Sequence, residues 1–363
     1  MINVTQSYLP PLSEYVQYLE KIWDNCWLTN NGPLVIELEE NLSNFLGVEH
    51  LLFLNNGTIA LQIAIKALQL KGEVITTPFS YVATTTAILW ENCKPVFVDI
   101  DPDTYCIDAS KIEAAITSDT SAILATHVYG LPCDVEAIEV IAKKYNLKVI
   151  YDGAHAFGVE YKNQSLLNYG DISTLSFHAT KLFHTVEGGA VVTNNEEIAK
   201  QMSLYRSFGH IRDDYYTIGV NGKNSEFHAA MGLCNLPKVP ELIQKRKIIC
   251  DYYDEQLVVN THLERPKIPQ KTIYNYSYYP ILFGSEEELV SIMKELLRNN
   301  INPRRYFYPS LNTLSYLSKQ VACPVSESIA PRILCLPLYP DLEMKDAERI
   351  CQIIKEFHSI YEL

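Results

Sequence analysis

The 363-residue sequence predicts an α/β protein with a mostly parallel sheet flanked by helices, followed by a smaller C-terminal α+β part. Two observations carry that prediction. Short apolar runs alternate with stretches of helical period from about residue 34 to 205, the signature of successive βαβ units. Near Pro237 and Pro240 the pattern changes to long helices around a short meander. A division into residues 1–236 (an N-terminal arm and a large domain) and 237–363 (a small domain) follows, and the chain is long enough for two cores.

The elements can be placed in order. A helix opens at Pro33, carries Leu34, Leu38, Leu42 and Phe45 on one face, and stops at Gly47, a proline start and a glycine stop. Strands are expected at 73–77, 95–99, 122–126, 148–152, 174–177 and 190–193, with helices between them at about 58–70, 80–91, 109–117 and 134–145. In the C-terminal part, 278–283 reads as a strand. The run Ser285-Glu286-Glu287-Glu288 is a capping box for a helix whose Leu289, Ile292, Met293, Leu296 and Leu297 share a face.

Composition narrows the function. The apolar fraction of 47% and charged fraction of 20% are those of an ordinary globule, and a net charge of −13 excludes a general nucleic-acid or anionic-membrane surface. No stretch approaches a membrane span and Met1 to Pro10 has no leader pattern, so a cytoplasmic protein is expected. The nine cysteines form no C-x-x-C pair and several lie in apolar patterns, which predicts reduced, buried thiols. No His and Cys share zinc-ligand spacing, so no metal is expected.

The chemistry centres on Lys181. It lies in Ser176-Phe177-His178-Ala179-Thr180-Lys181, beyond an apolar strand and ahead of Glu187-Gly188-Gly189, where an amine can hold an aldehyde cofactor as an imine. Asp152 closes the strand 148–152 and His155 follows three residues later. A carboxylate there suits a pyridine nitrogen and an imidazole can reach the ring hydroxyl; the alternatives are a helix N-cap and a core histidine. Gly57 and Thr58 begin a helix, where N–H groups and the dipole favour a phosphate, and Ser176 is a further donor. Tyr81, just past a strand, can stack on the ring face. Together these residues describe a pyridoxal 5'-phosphate site.

From Thr29-Asn30-Asn31-Gly32-Pro33 to Leu336-Pro337-Leu338-Tyr339-Pro340 the chain resembles the DegT/DnrJ/EryC1/StrS family of sugar aminotransferases, most specifically in Asp152-Gly-Ala-His155, Ser176-Phe-His-Ala-Thr-Lys181 and Glu187-Gly-Gly. The resemblance implies the aspartate aminotransferase fold (fold type I), with a seven-stranded, mostly parallel sheet, and a homodimer with both sites at the interface. It also implies pyridoxal 5'-phosphate as cofactor, with pyridoxamine phosphate between two half-reactions. L-Glutamate is the implied donor and a nucleotide-linked keto sugar the acceptor, in deoxyamino-sugar biosynthesis for glycans such as lipopolysaccharide O-antigen. The family segment G-x-N-x-R-x-[DN]-E-x-Q-A-A reads here from Gly219 to Ala230. By resemblance, Asn221 reaches the cofactor phosphate across the dimer, while Asn30, Lys223 and Tyr308 bind substrate. Lys223 stands in place of the family's arginine and lacks its two-pronged fork; His228 replaces a glutamine.

Histidine at the position of His155 more often accompanies family members that aminate C4, and glutamine those that aminate C3. The expected reaction therefore converts dTDP-4-dehydro-6-deoxy-D-glucose to dTDP-4-amino-4,6-dideoxy-D-glucose, with C3 amination of a dTDP-3-dehydro-6-deoxyhexose as the alternative. Family members that act as dehydratases carry histidine instead of the lysine, and a regulatory protein on this fold has no use for one; Lys181 argues against both.

Overall fold

Seven strands form the central sheet, and six of them lie where apolar runs predict them. They are β1 (His50–Leu54), β2 (Glu73–Thr76), β3 (Lys94–Phe97), β4 (Thr120–Thr126), β5 (Lys148–Asp152), β6 (Ile172–Ser176) and β7 (Gly189–Thr193), in spatial order β1-β7-β6-β5-β4-β2-β3. The pairs from β6 through β3 are parallel, and β7 runs antiparallel to both of its neighbours. This computed structural model describes residues 1–259, 261, 263–317 and 321–361. The strand without a sequence prediction is β1, a run of His-Leu-Leu-Phe-Leu whose continuous apolar character gives no period to read.

Helices cover both sheet faces, which is why most strands are apolar throughout. Ile75, Ile123 and Val149 point into one core and their neighbours Val74, Leu124 and Ile150 into another. On the large sheet pack α1 (Leu12–Asn25), α2 (Pro33–Leu46), α3 (Gly57–Ala67), α4 (Val82–Trp90), α5 (Val135–Tyr145), α6 (Glu196–Arg206) and α7 (Glu226–Asn235). The helix expected at 109–117 is shorter. One α turn, Ala109–Ile112, tightens into a 3₁₀ turn at Glu113–Ala115, which lays Ala115 and Ile116 against the same core as Ile112.

The C-terminal part contains α8 (Val239–Tyr253), α9 (Glu286–Arg298) and α10 (Met344–Tyr361) around a ribbon of β8 (Pro280–Leu282) and β9 (Ile333–Cys335). β8 is shorter than the strand expected at 278–283. Ser285 Oγ caps α9 by accepting from the Glu288 N–H at 3.1 Å, and the Glu288 carboxylate reaches back to the Gly284 N–H at 2.9 Å, one residue earlier than a standard capping box. Leu289, Ile292 and Leu296 are buried, but Leu297 is largely exposed, because one residue turns about 100° and carries it off the stripe.

Two further features position the site. The N-terminal arm pairs Ile2–Asn3 in parallel with Ile301–Asn302, then passes the lysine loop, where Ser7 Oγ donates to Ala179 O at 2.6 Å and Tyr8 O lies 2.7 Å from His184 Nε2. Eight of the nine cysteines are buried and all nine are free thiols, with Cys26 exposed. No helix among the described residues is long and apolar enough to cross a membrane.

Candidate active site at the carboxyl edge of the sheet

A cavity of about 340 Å³ opens where β4, β5 and β6 end and α3 begins. In an open parallel sheet this edge gathers strand-end side chains and helix N-termini, so it is where ligands bind. Gly57, Thr58, Tyr81, Asp152, His155, Ser176 and Lys181 all line it. Seven residues read from separate stretches of sequence thus share one wall.

Lys181 enters from the loop after β6, and its Nζ lies 3.3 Å from the Tyr278 hydroxyl. Burial pushes its ammonium below the ordinary lysine value, while Asp152 and the Tyr306 and Tyr81 hydroxyls pull the other way. A larger fraction of free amine at neutral pH is the chemical consequence.

Asp152, 6% exposed at the end of β5, accepts from Thr84 Oγ1 at 2.7 Å through Oδ2 and from the Ala154 N–H at 3.1 Å through Oδ1. Burial raises its pKa; the Thr84 and Ala154 hydrogen bonds and Lys181 oppose that rise. It is not a helix N-cap. A carboxylate offers about four lone-pair sites, so this one keeps room for another donor.

His155 Nδ1 accepts from the Tyr129 N–H at 3.1 Å, so the ring proton belongs on Nε2. Its ring stacks on Phe307, with centroids 5.6 Å apart, and meets Tyr278 edge-on. Burial, with Lys181 adding to it, holds its pKa well below the usual histidine range. The imidazole is therefore neutral.

At the start of α3, Asn56 Oδ1 caps the Ile59 N–H at 2.9 Å, which leaves Gly57 and Thr58 as first-turn residues without intrahelical acceptors. A Cβ at position 57 would sit 2.9 Å from Ser176 Cβ, so only glycine allows the helix start and the end of β6 to approach this closely. Asn56 supplies the plain N-cap, and the Gly57 and Thr58 N–H groups it leaves over are the ones an anion would use.

Four expected residues lie outside this wall. Asn221 is exposed, and its segment runs beside the start of α3, where the Asn55 N–H donates to Gly222 O at 3.0 Å and Asn55 Nδ2 to Asn221 O at 3.1 Å. Lys223 rests its Nζ 4.6 Å above the Phe208 ring, and burial, with Arg206, lowers its pKa. Tyr308 is half-exposed under the Arg305 guanidinium, because its neighbours Tyr306 and Phe307 take the places in the wall. Asn30 is exposed in the turn ahead of Gly32, at φ 62°. His228, the second departure from the family pattern, bonds through Nδ1 to Ser225 Oγ at 2.8 Å and so fastens the hydroxyl that caps α7.

Nothing in the sequence singled out Thr84, Ser80, Thr126, Tyr278 or Tyr306, all of which line the cavity or bind a residue that does; Arg304 lines it as well. Arg304 makes no ion pair among the described residues, and its guanidinium lies 5.7 Å from the Tyr306 ring centroid.

A model of the DegT/DnrJ/EryC1/StrS aminotransferase family matches residues 12–355. The chain belongs to that family. A dTDP-4-amino-4,6-dideoxy-D-glucose transaminase from Shigella dysenteriae is 47% identical to it over 364 aligned residues, covering 98% of each chain. Among solved structures, DesI in the presence of its TDP-sugar product superposes with a TM-score of 0.92 at 30% identity, covering 97% of this chain and 91% of DesI. NtdA from Bacillus subtilis, with bound cofactor PMP, superposes with a TM-score of 0.89 at 29% identity, covering 96% and 82%. Membership in the DegT/DnrJ/EryC1/StrS family makes the protein an aminotransferase of fold type I, and its mostly parallel seven-stranded sheet agrees with that fold.

The donor set fits the family's cofactor. Unpaired first-turn N–H groups suit a phosphate, Asp152 a ring nitrogen, the His155 Nε2–H a ring hydroxyl, and the Lys181 amine an aldehyde carbon.

Proposed function

We propose that the protein transfers an amino group from L-glutamate to C4 of dTDP-4-dehydro-6-deoxy-D-glucose, giving dTDP-4-amino-4,6-dideoxy-D-glucose, with pyridoxal 5'-phosphate as cofactor. The observation that carries the proposal is the 47% identity, across 98% of both chains, to a transaminase named for that product. His155 in the cavity wall supports the choice of C4.

When bound, the cofactor supplies an electron sink for the carbon that gains or loses a proton. The Gly57 and Thr58 N–H groups and the Thr58 and Ser176 hydroxyls would hold its phosphate. Asp152 would accept from its ring nitrogen, Tyr81 would cover the ring, and the His155 Nε2–H would meet its hydroxyl. Lys181 Nζ would anchor the group and, as a free amine, would take a proton from glutamate Cα and later deliver one to the sugar carbon. The Tyr278 hydroxyl, 3.3 Å away, keeps the free amine within reach of both positions. Arg304 suits an anionic part of either substrate.

We read the chain as a homodimer in which Asn221 serves the partner's site and Lys223 lies at its rim. The exposure of Asn221 and of Phe208, Ile211, Tyr215, Tyr216 and Ile218 in the adjacent hairpin supports this. We also read two domains, 1–236 and 237–363; in support, one core cluster draws all its buried residues from Ile249 to Ile354.

The test is a mass-spectrometric assay of the protein with cofactor, glutamate and a panel of dTDP- and UDP-linked 3-keto and 4-keto sugars, the amine being located by NMR. An amine at C4 of the dTDP-linked 6-deoxyhexose is the expected result. An amine at C3 would overturn the regiochemistry, and no amination at all would overturn the proposal.

A further inference from the structure

Three hydroxyls reach the Asp152 carboxylate in single file. Thr126 Oγ1, at the end of β4, donates to Ser80 Oγ at 3.1 Å; Ser80 Oγ lies 2.8 Å from Thr84 Oγ1; and Thr84 Oγ1, on α4, donates to Asp152 Oδ2 at 2.7 Å. All four side chains are buried, the most exposed being Asp152 at 6%. Each hydroxyl has a single proton. Thr84 commits its proton to Asp152, so the Ser80 proton must go to Thr84, and the Ser80 oxygen is left to accept from Thr126. With Asp152 ionised, stoichiometry fixes the direction of the file, and every bond in it points toward the carboxylate.

In a low-dielectric interior such a file is cooperative. Each donor polarises the next, strengthening a bond by roughly 10–30%. Around Asp152, β4, α4 and the turn that precedes α4 contribute these neutral hydroxyls, the turn after β5 contributes the Ala154 N–H and the neutral His155, and the loop after β6 contributes Lys181. Burial of the carboxylate works against its charge, and the Thr84 hydroxyl at the head of the file, the Ala154 N–H and Lys181 counter it.

We infer that Thr126, Ser80 and Thr84 form a one-way hydroxyl relay that holds the Asp152 carboxylate charged and fixed in direction, with Ser80 and Thr126 as positioning residues acting through Thr84. What the carboxylate is used for rests on the pyridoxal phosphate reading above; the relay does not.

The full-length protein, labelled with ¹³C in its aspartate carboxyls and without cofactor, tests this directly, the Asp152 signal being assigned by its loss in Asp152→Asn. Thr84→Val should raise the Asp152 pKa by about one to two units, the worth of one hydrogen bond to a charged group. Ser80→Ala should raise it by roughly half a unit through weakened cooperativity, Thr126→Val by less, and Ser80→Thr should restore the wild-type value. An unmoved Asp152 signal in folded Thr84→Val and Ser80→Ala proteins would overturn the relay. The same variants are then titrated with pyridoxal phosphate, following its visible absorbance against pH. The band should shift in the order of the carboxyl pKa values. A carboxyl that shifts as expected in a protein that does not bind the cofactor would keep the relay and sink the cofactor reading. Normal cofactor binding with an unshifted carboxyl would do the reverse.

Discussion

The backbone N–H of Tyr129 donates to Nδ1 of His155 at 3.1 Å. Tyr129 adopts a left-handed φ of 56° to do so, and the Tyr274 hydroxyl pins its carbonyl at 2.9 Å. The bond makes His155 a fixed, neutral Nε2–H donor. The expected ¹⁵N spectrum shows that single tautomer from pH 8 to pH 5; a ring titrating near 6.5 would refute the assignment.

Stability should follow in a definite direction. Burial holds the folded pKa of His155 well below its free value, and that of His127, stacked on Tyr151, down to about 3. The unfolded chain then binds more protons below about pH 6.5, so this part of the stability is complete above that pH and is lost as pH falls toward the folded values. The thermal midpoint should drop between pH 7 and pH 5. A flat or rising midpoint would contradict it.

Gly57→Ala should weaken both fold and phosphate binding. The new methyl would lie 2.9 Å from Ser176 Cβ and 3.3 Å from its Cα, an overpacking worth about 1 to 3 kcal/mol. Adding Ser176→Gly removes the nearest atom and should recover part of the loss in urea unfolding. Simple additivity of the two losses would show that this contact is not the cause.

What the sequence revealed depended on whether a residue's role is local. Asp152, Ser176, Gly57 and Thr58 sit at the end of a strand or the start of a helix, and Lys181 in the loop just beyond one; such ends can be read from apolar period and turn residues. Thr84 meets Asp152 across 68 positions of sequence, and Tyr278 meets Lys181 across 97. Nothing in either neighbourhood marks those pairs, because only sheet closure brings them together. β1 escaped for a different reason, since a five-residue apolar run has no period, and Leu297 was misplaced by one residue's rotation around a helix.

Glu226 should prove structural. Fully buried, it accepts from the Leu34 N–H at 2.8 Å and the Val35 N–H at 3.0 Å, supplying at the start of α2 the acceptors that Gly32 and Pro33 lack. Glu226→Ala orphans both donors and should cost about 2 to 4 kcal/mol in urea unfolding, while Glu226→Gln keeps one acceptor and should cost less. Equal losses would mean that one retained acceptor supports neither N–H and that only the intact carboxylate serves.

Val186 sits at φ 69° in the loop after Lys181, a β-branched residue where L side chains are crowded. Val186→Gly removes about 1–2 kcal/mol of strain and adds about 0.5–1 kcal/mol of chain entropy. The thermal midpoint should rise by up to about 2 °C. A fall would show that the Val186 side chain makes contacts worth more than its strain.

The arm that pairs Ile2 with Ile301 also gives synthesis an order. Met1 to Tyr8 leave the ribosome long before the strand they join, which is made about 300 residues later, roughly 15 to 60 s at ordinary translation rates. The lysine loop that Ser7 and Tyr8 brace therefore lacks its tether to Ile301–Asn302 throughout that interval. Residues made early are thus among the last to reach their places, so a nascent chain stalled before residue 301 would carry Lys181 without a finished site around it.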